Sequence, residues 1–415
     1  MPNRTARLII AAGIVTVFVF YRAGRETGGS KVVDETPASV SAVDEEETMA
    51  LHDEALVWDA HNDLAYRVLY EGLDMGKRLP AGHVDLPRLE EGRVDVQTVA
   101  LFVENFLYGQ PGQPSRQARQ LLEAMLQAIE ANSGRVELAR TAGDIERIVA
   151  SGKVAMPLAI EGGHAIEASL ESLREFHDMG VSSITLTHNV SHDWADSGAD
   201  DSRWGGLNEL GRNVVREMNR IGMVIDVSHV SDSTFFDVME VTEDPVIFSH
   251  SGVRAIHPHR RNVSDDMLRA LAENGGVLAV VFVLNYLTPE YSQAMAELRA
   301  ISRPWFRQVP VPEDIDTRIA LNHLNASRDW PMEDLPSLDD LLDHIDHAVS
   351  VAGVDHVGLG ADMYPRNPSP IGIRGAEDYP NITRGLKARG YSDEDVKKIM
   401  GGNLFRVWEE VTGGR

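Results

Sequence analysis

The chain has 415 residues, 43% of them hydrophobic, so it is long enough to form one large α/β barrel or two or three smaller domains. Its formal net charge of −25 makes nucleic acid and anionic membrane surfaces poor partners, because both require clustered Lys and Arg side chains. The absence of cysteine excludes disulfides, cysteine nucleophiles and thiolate ligands, so any metal ion must be held by His, Asp and Glu.

Residues 1–25 have the composition of a signal peptide or signal-anchor. Arg4 and Arg7 precede a largely apolar run over residues 8–20, and Arg22 follows it. A basic start before a short apolar stretch is typical of exported proteins, although the run is shorter than the ~20 residues of a membrane span. We therefore expect an extracytoplasmic protein, periplasmic or secreted, with an N-terminal membrane anchor if the segment is not cleaved. The alternative is a buried strand or helix of the folded domain.

Residues 26–54 are predicted to be an acidic, disordered linker. They include Gly28-Gly29-Ser30 and the run Asp44-Glu45-Glu46-Glu47, and such sequences carry too much charge to form a buried core. The catalytic domain is therefore predicted to occupy residues 55–415.

From residue 55 onward, short apolar runs alternate with longer amphipathic stretches, which predicts repeated βα units and a parallel sheet. Eight such strands in one continuous alternation favour a (β/α)₈ TIM-like barrel of the metal-dependent hydrolase type over an open sheet. The strands are predicted near residues 57–60, 94–103, 155–160, 183–186, 223–226, 246–248, 277–282 and 356–359. Residues 286–336 interrupt the alternation and contain several prolines, which predicts an insertion over the barrel mouth.

Ionisable residues follow most of the predicted strands. In a βα barrel the carboxyl ends of the strands meet on the face where active sites form, so residues distant in the chain would converge there. The candidates are His61 and Asp63 after the first predicted strand, Glu161 after the third, His188 after the fourth, His229 after the fifth, His250 after the sixth and Asp362 after the eighth.

The residue types fit a site for two metal ions. In His61-x-Asp63 both side chains lie on the same side of an extended backbone, so they are able to bind one ion. A carboxylate such as Glu161 has two oxygens and is able to bridge two ions, and imidazoles such as His229 and His250 suit zinc. Two metals sharing a water would supply hydroxide near neutral pH. A single His of this kind is more often structural, and it is the joint placement that favours a site.

Several motifs, in this order, resemble the membrane (renal) dipeptidase family over residues 57–411. They are Asp59-Ala60-His61-Asn62-Asp63, His83 to Leu89, Ile160-Glu161-Gly162-Gly163-His164, Leu186-Thr187-His188-Asn189, Ile225 to Ser231, Phe248-Ser249-His250-Ser251, Arg261-Asn262-Val263, His356 to Asp362 and Gly401 to Val407.

The resemblance implies a dipeptidase with two Zn²⁺ ions per chain, in which a hydroxide bridging the metals attacks the peptide bond. It implies that His61, Asp63 and Asp362 bind one ion. His229 and His250 would bind the other, and Glu161 would bridge them.

The resemblance also implies roles in catalysis and substrate binding. His188 would stabilise the oxygen of the tetrahedral intermediate, and Asp362 would carry a proton to the leaving amine. Arg261 would bind the C-terminal carboxylate of a dipeptide through a bidentate contact, with Arg260 as the competing candidate. Many relatives accept a D-residue at the C-terminal position.

Some features leave alternatives open. Where the family often has Ser-Asp-Phe-Asp-Gly, this chain has Ala361-Asp362-Met363-Tyr364-Pro365, so the shape of the pocket beyond the ligand differs. The same metal site would serve another amide or lactone substrate, such as an N-acyl amino acid or a β-lactam. A barrel that binds ligands without catalysis is the alternative outside the hydrolases. A homodimer is expected because dimers are the commonest assemblies of soluble enzymes.

Overall fold

Ten parallel strands form one curled sheet in the computed structural model, which describes residues 44–306, 315, 318, 335–364 and 368–413. The strands are β1 (Trp58–Asn62), β2 (Val96–Phe102), β3 (Val136–Leu138), β4 (Val154–Met156), β5 (Leu158–Glu161), β6 (Val181–Thr185), β7 (Val224–Asp226), β8 (Ile247–Ser251), β9 (Val277–Val280) and β10 (Val357–Leu359).

Eight of these strands run round the barrel in the order β1-β2-β5-β6-β7-β8-β9-β10. The short β4 pairs with β2 beside β5 and carries β3 at its outer edge. Two hydrogen bonds join the ends of β1 and β10. The amide of Ala361 donates to the Asp59 side chain at 2.8 Å, and the amide of Asp362 donates to the His61 carbonyl at 3.0 Å. The predicted TIM-like α/β barrel is confirmed.

The helices cover the outside of the sheet. Their bounds are α1 (Glu45–Glu54), α2 (Leu64–Glu71), α3 (Leu86–Glu91), α4 (Gln113–Ala131), α5 (Ala142–Ala150), α6 (Leu170–Asp178), α7 (Glu209–Ile221), α8 (Asp232–Val241), α9 (Asp265–Glu273), α10 (Leu284–Leu287), α11 (Pro289–Phe306), α12 (Leu338–Ala352), α13 (Pro380–Ala388), α14 (Asp393–Lys397) and α15 (Asn403–Thr412). In the part of the chain that is described, no helix combines the length and the apolar character needed to cross a bilayer.

The strand predicted over residues 155–160 is two strands, β4 and β5, separated by Pro157. Proline has no N–H to donate, so the ladder is interrupted there, while the Pro157 carbonyl still accepts from the amide of Val99 at 2.9 Å. The strand β3 was not predicted, because the charged Glu137 separates its two apolar residues and leaves no apolar run to recognise.

The prediction of a disordered linker up to residue 54 is wrong for residues 45–54, which form α1. The Asp44 carboxylate accepts from the amides of Glu46 and Glu47 and caps the helix. The acidic run that suggested disorder lies in the first turn, where negative charge stabilises a helix. The buried His52 then bonds to Thr383 Oγ1 (2.7 Å) and to the carbonyl of Gly92 (3.0 Å).

The signal segment predicted over residues 1–25, and residues 26–43 of the predicted linker, lie outside the described residues. Most of the second half of the insertion predicted over residues 286–336 also lies outside them. Its first half continues from β9 into α10 and α11. The guanidinium of Arg318 lies 4.0 Å from the ring centroid of Phe106, which is in the loop after β2 at the carboxyl end of the sheet.

Candidate metal centre

All the predicted ligands meet at the carboxyl ends of the barrel strands. His61 lies in β1, Glu161 is the last residue of β5, and His250 lies in β8. Asp63, His229 and Asp362 lie in the loops that directly follow β1, β7 and β10. Five of the six side chains belong to buried residues, and Asp362 is partly exposed. The prediction that these residues converge is therefore confirmed by their positions.

Glu161 lies at the middle of the cluster, and its two oxygens face different groups. Oε1 is 3.2 Å from Nε2 of His229 and 3.5 Å from Nε2 of His250. Oε2 is 3.5 Å from Nε2 of His61, whose Nε2 is also 3.9 Å from Oδ1 of Asp362. This division of the two oxygens is what a carboxylate needs to bridge two ions.

The side chains fall into three groups whose ligand atoms lie within 4.8 Å of one another. These are His61, Glu161 and His250; Glu161, His188 and His229; and His61, Asp63 and Asp362. Every group contains imidazole nitrogen together with carboxylate oxygen, a combination that suits zinc and related divalent ions. The Nε2 atoms of His229 and His250 are only 2.9 Å apart, and the buried Nε2 of His61 has no hydrogen-bond partner. The donor set therefore fits the metal pair implied by the sequence.

Two of the candidate ligands lie in the left-handed region of backbone conformation. The φ angle is 68° at His229 and 50° at Asp362, values that residues other than glycine seldom adopt. Such conformations are disfavoured by about 1–3 kcal/mol and concentrate at functional sites. In both cases the backbone turns immediately after a strand, and this turn aims the side chain at the cluster.

Asp226 fixes the orientation of the His250 ring. Its Oδ1 accepts from the amides of Ser228 and Ser249, each at 2.9 Å, and its Oδ2 accepts from Ser249 Oγ at 2.6 Å. Because Ser249 donates its only hydroxyl proton to Asp226, its Oγ accepts from Nδ1 of His250 at 2.8 Å. That leaves the lone pair of His250 on Nε2, which faces the cluster. Asp226 therefore supports a candidate ligand and is not itself a member of the three ligand groups.

Asp59 was not predicted to have a role, and it holds the first and last strands together. Its Oδ1 accepts from the amides of His61 (3.2 Å) and Ala361 (2.8 Å), and its Oδ2 accepts from Nε2 of Gln97 at 3.0 Å. Burial raises the pKa of Asp59, and these hydrogen bonds partly oppose the rise. The motif that contains Asp59 indicated its importance, but only the contacts reveal its function.

The charges of the cluster shift several pKa values in the metal-free protein. Burial lowers the pKa of His61, but the nearby carboxylates of Glu161, Asp362 and Asp63 outweigh burial and raise it to about 10. Burial, partly opposed by His61 and reinforced by Glu161, raises the pKa of Asp362 to about 7. Burial holds the pKa of His229 and of His250 well below the usual value, so both rings are neutral and have lone pairs available for a metal.

His188 lies beside the cluster, with Nε2 3.9 Å from Oε1 of Glu161. Burial lowers its pKa to about 4, so the ring is neutral at pH 7. Its Nδ1 lies 2.9 Å from Nδ2 and 3.1 Å from Oδ1 of Asn105, which comes from the loop after β2. Asn189 contacts both Nε2 of His188 (3.1 Å) and Nδ1 of His229 (3.3 Å). Neither asparagine was predicted, because their role depends on side-chain geometry alone.

Arg261 is buried beside the cluster, whereas Arg260 is exposed. One guanidinium nitrogen of Arg261 donates to the carbonyl of His250 (3.0 Å), another to Ser251 Oγ (3.2 Å), and its Nε has no partner. The guanidinium also lies 5.4 Å from the ring centroid of Tyr286. Of the two arginines weighed from the sequence, Arg261 is the one beside the metal centre.

A model of the membrane dipeptidases, peptidase family M19, matches residues 45–413. This chain belongs to that family. The M19 match begins at the first residue of α1 and so agrees with the corrected start of the folded domain. Among curated relatives of this M19 protein, Dipeptidase tcpJ of Claviceps purpurea (strain 20.1) is 33% identical over 369 residues, covering 85% of this chain and 76% of the relative.

Solved structures confirm the fold. The probable dipeptidase PvdM from Pseudomonas aeruginosa superposes with a TM-score of 0.76 at 26% identity, covering 91% of this chain and 100% of PvdM. The dipeptidase AC, a metallo peptidase of family M19, superposes with a TM-score of 0.67 at 26% identity, covering 87% of this chain and 99% of that protein. The resemblance to membrane dipeptidases derived from the motifs is therefore confirmed, and this M19 protein has their barrel.

Proposed function

We propose that this M19 protein is a dipeptidase with two zinc ions per chain, which hydrolyses the peptide bond of dipeptides and releases free amino acids. The observation that carries the proposal is the division of the Glu161 oxygens between His61 on one side and His229 and His250 on the other. Membership of a peptidase family in which a solved member, the dipeptidase AC, is a metallo peptidase supports the same reading.

In this proposal His61, Asp63 and Asp362 hold one ion, and Glu161 holds both. His229 and His250 hold the other ion. When bound, such ions make water nucleophilic near neutral pH and polarise the scissile carbonyl.

The protein's own residues supply binding and proton transfer. Arg261 binds the substrate's C-terminal carboxylate, and its unpartnered buried Nε shows that its donors are not all used within the protein. His188, neutral at pH 7, donates a hydrogen bond to the oxygen that gains negative charge. Asp362 carries the proton released by the attacking water to the leaving amine.

The experiment is a hydrolysis assay of the purified protein against L-Ala-L-Ala, L-Ala-D-Ala, an N-acetyl amino acid and a β-lactam. We expect the dipeptides to be cleaved, activity to disappear after chelation, and zinc to restore it. Cleavage of L-Ala-D-Ala would establish tolerance of a D-residue at the C-terminal position. Hydrolysis of the N-acetyl amino acid or the β-lactam alone would contradict the dipeptidase proposal, and hydrolysis that survives complete metal removal would contradict the metal-dependent mechanism.

We further propose that the protein acts outside the cytoplasm, because Arg4 and Arg7 precede an apolar run, as in export signals. Fractionation of cells expressing the full chain tests this. Recovery of the activity in the extracytoplasmic or membrane fraction is expected, and recovery in the cytoplasm alone would contradict it.

A further inference from the structure

Four aromatic side chains lie together beside the metal centre. Phe102 is the last residue of β2, Tyr66 and Tyr70 lie in α2, and Tyr364 lies two residues after the ligand Asp362. The ring centroid of Tyr66 is 5.5 Å from that of Phe102, 4.7 Å from that of Tyr70 and 6.4 Å from that of Tyr364. We call these four residues the aromatic wall.

One ring of the aromatic wall contacts His188, and another belongs to a residue that is bonded through its backbone to Asp362. The Phe102 ring meets the His188 ring edge-on at a centroid distance of 4.7 Å. On the other side, the amide of Tyr364 donates a 3.1 Å hydrogen bond to the carbonyl of Asp362. Tyr66 is buried, whereas Phe102, Tyr70 and Tyr364 are half-buried. Of these three, Phe102 and Tyr364 are next to the candidate site residues His188 and Asp362. A substrate at the metal centre therefore lies within reach of these two rings.

Hydrogen bonds hold the aromatic wall in a fixed position. The Tyr66 hydroxyl donates to Oε1 of Glu104 at 2.7 Å. Nε2 of Gln117 donates to the hydroxyls of Tyr66 (3.2 Å) and Tyr70 (3.0 Å), and Oε1 of Gln117 accepts from the Glu104 amide (2.9 Å). Tyr66 and Tyr70 are therefore fixed, and Tyr66 supports the neighbouring rings of Phe102 and Tyr364, so a ligand that packs on these rings loses less free energy in ordering the protein.

The strand order places the aromatic wall opposite Arg261. Round the barrel, β2 is four strands away from β8 in both directions, and Arg261 lies in the loop after β8, bonded to the His250 carbonyl. Glu161, the centre of the cluster, lies between them. A dipeptide with its carboxylate on Arg261 and its scissile carbonyl at the metal centre therefore directs its N-terminal residue toward β2 and the aromatic wall.

We propose that the aromatic wall is the binding site for the side chain of the substrate's N-terminal residue, and that the enzyme prefers an apolar or aromatic side chain there. This inference rests on the proposed dipeptidase function. The half-buried side chains of Phe102 and Tyr364 are aromatic rings, so an apolar side chain that packs on them gains from burying apolar area and from ring contacts. A charged side chain would be desolvated against these rings, which costs free energy unless it is paired.

The test compares the wild type with Tyr364→Ala on two series of dipeptides. In one series the N-terminal residue varies (Phe-Ala, Leu-Ala, Gly-Ala), and in the other the C-terminal residue varies (Ala-Phe, Ala-Leu, Ala-Gly). We expect the wild type to favour Phe-Ala and Leu-Ala over Gly-Ala in kcat/KM by about 10- to 100-fold. Tyr364→Ala should reduce that ratio about tenfold, mainly through KM, and change the Ala-Phe to Ala-Gly ratio much less. Tyr364→Phe, which keeps the ring, should retain the wild-type ratio.

A second variant, Phe102→Leu, removes the other accessible ring, and thermal unfolding of each variant shows whether it is folded. Equal losses on Phe-Ala and Gly-Ala in both folded variants, or a wild type without an N-terminal preference, would overturn the proposed subsite while the dipeptidase function stands. A wild type that cleaves no dipeptide would overturn the proposed function and the subsite with it.

Discussion

The amide of Asp362 donates a 3.0 Å hydrogen bond to the carbonyl of His61, which joins the last strand of the barrel to the first at the metal centre. These two residues are candidate ligands of the same ion, and 301 positions of the chain separate them. Closure of the barrel and assembly of this half of the metal centre are therefore one event, and Asp59 bonds to both sides of the closure.

Replacing Asp59 should weaken both the fold and metal binding. In Asp59→Asn, a side-chain NH₂ group replaces one of the two carboxylate oxygens. This group does not accept hydrogen bonds, so at least one of the buried donors that bond to Asp59 loses its partner. We expect a loss of about 1–3 kcal/mol in unfolding free energy. Zinc affinity should fall about 10- to 100-fold, as found for residues that orient ligands. Calorimetry and zinc titration against a competing chelator measure the two effects.

Asp95 offers a matched control for Asp59. Its Oδ2 accepts from the amide of Val57 at 2.9 Å, at the amino end of the same strands and away from the ligands. Asp95→Asn should lose stability without losing zinc affinity. If both variants bind zinc as the wild type does, Asp59 has only a structural role.

Arg261→Ala should separate substrate binding from metal binding. The guanidinium–carboxylate contact is worth about 1.5–3 kcal/mol, or roughly 10- to 100-fold in affinity. We expect kcat/KM on dipeptides to fall by that factor and metal content to stay at the wild-type level. The kcat/KM of Arg261→Ala on a dipeptide amide, which has no carboxylate, should fall much less. Arg260→Ala, in the adjacent exposed residue, is the control and should behave as the wild type. Equal losses of Arg261→Ala on dipeptide and amide would show that Arg261 does not bind the carboxylate.

The start of the folded domain is testable by truncation. Removal of residues 1–43 should leave a stable, active enzyme, because helix α1 and all candidate ligands remain. Removal of residues 1–54 also deletes the buried Leu51 and the two buried hydrogen bonds of His52. Together these contribute about 4 kcal/mol. Chemical denaturation of the two truncated proteins measures the difference, and equal stabilities would show that α1 is not part of the domain.

The pH dependence of stability should differ between the metal-free and the zinc-loaded protein. The carboxylates around His61 raise its pKa to about 10 in the metal-free fold, against an ordinary value of about 6.5. The folded protein therefore holds the His61 proton more tightly than the unfolded protein does. The stability that this protonation contributes is complete below pH 6.5 and is lost as pH rises toward 10. The metal-free protein should therefore lose thermal stability from pH 7 to 9.5. Zinc requires deprotonated ligands, so the zinc-loaded protein should not show this loss. The same slope in both forms would contradict the assignment of His61.

The barrel and the convergence of the candidate ligands could be predicted from the sequence because both follow simple periodic rules. Apolar runs such as Val277–Val280 identify strands, and in a barrel the residues directly after strands share one face. Glu161 and His250 are identified as candidate ligands in this way from the sequence alone.

What the sequence did not reveal depends on contacts between side chains distant in the chain. The acidic run at residues 44–47 indicates disorder unless α1 is known to pack on the domain through His52 and Thr383. Likewise, nothing in the sequence pairs Asn105 with His188, because the Nδ1 contact arises only when the loops after β2 and β6 meet. Local pattern therefore predicted the candidate ligands but not the residues that orient them.

The metal content and turnover of Glu161→Gln test whether Glu161 bridges two catalytic zinc ions. A carboxylate that bridges two ions is needed to hold both, so the variant should retain fewer than two zinc ions per chain by elemental analysis. Its turnover of dipeptides should fall by about 100-fold or more. Wild-type protein carried through the same purification is the reference and should contain two. A variant that keeps two zinc ions per chain and turns over dipeptides at the wild-type rate would show that Glu161 does not bridge two catalytic ions.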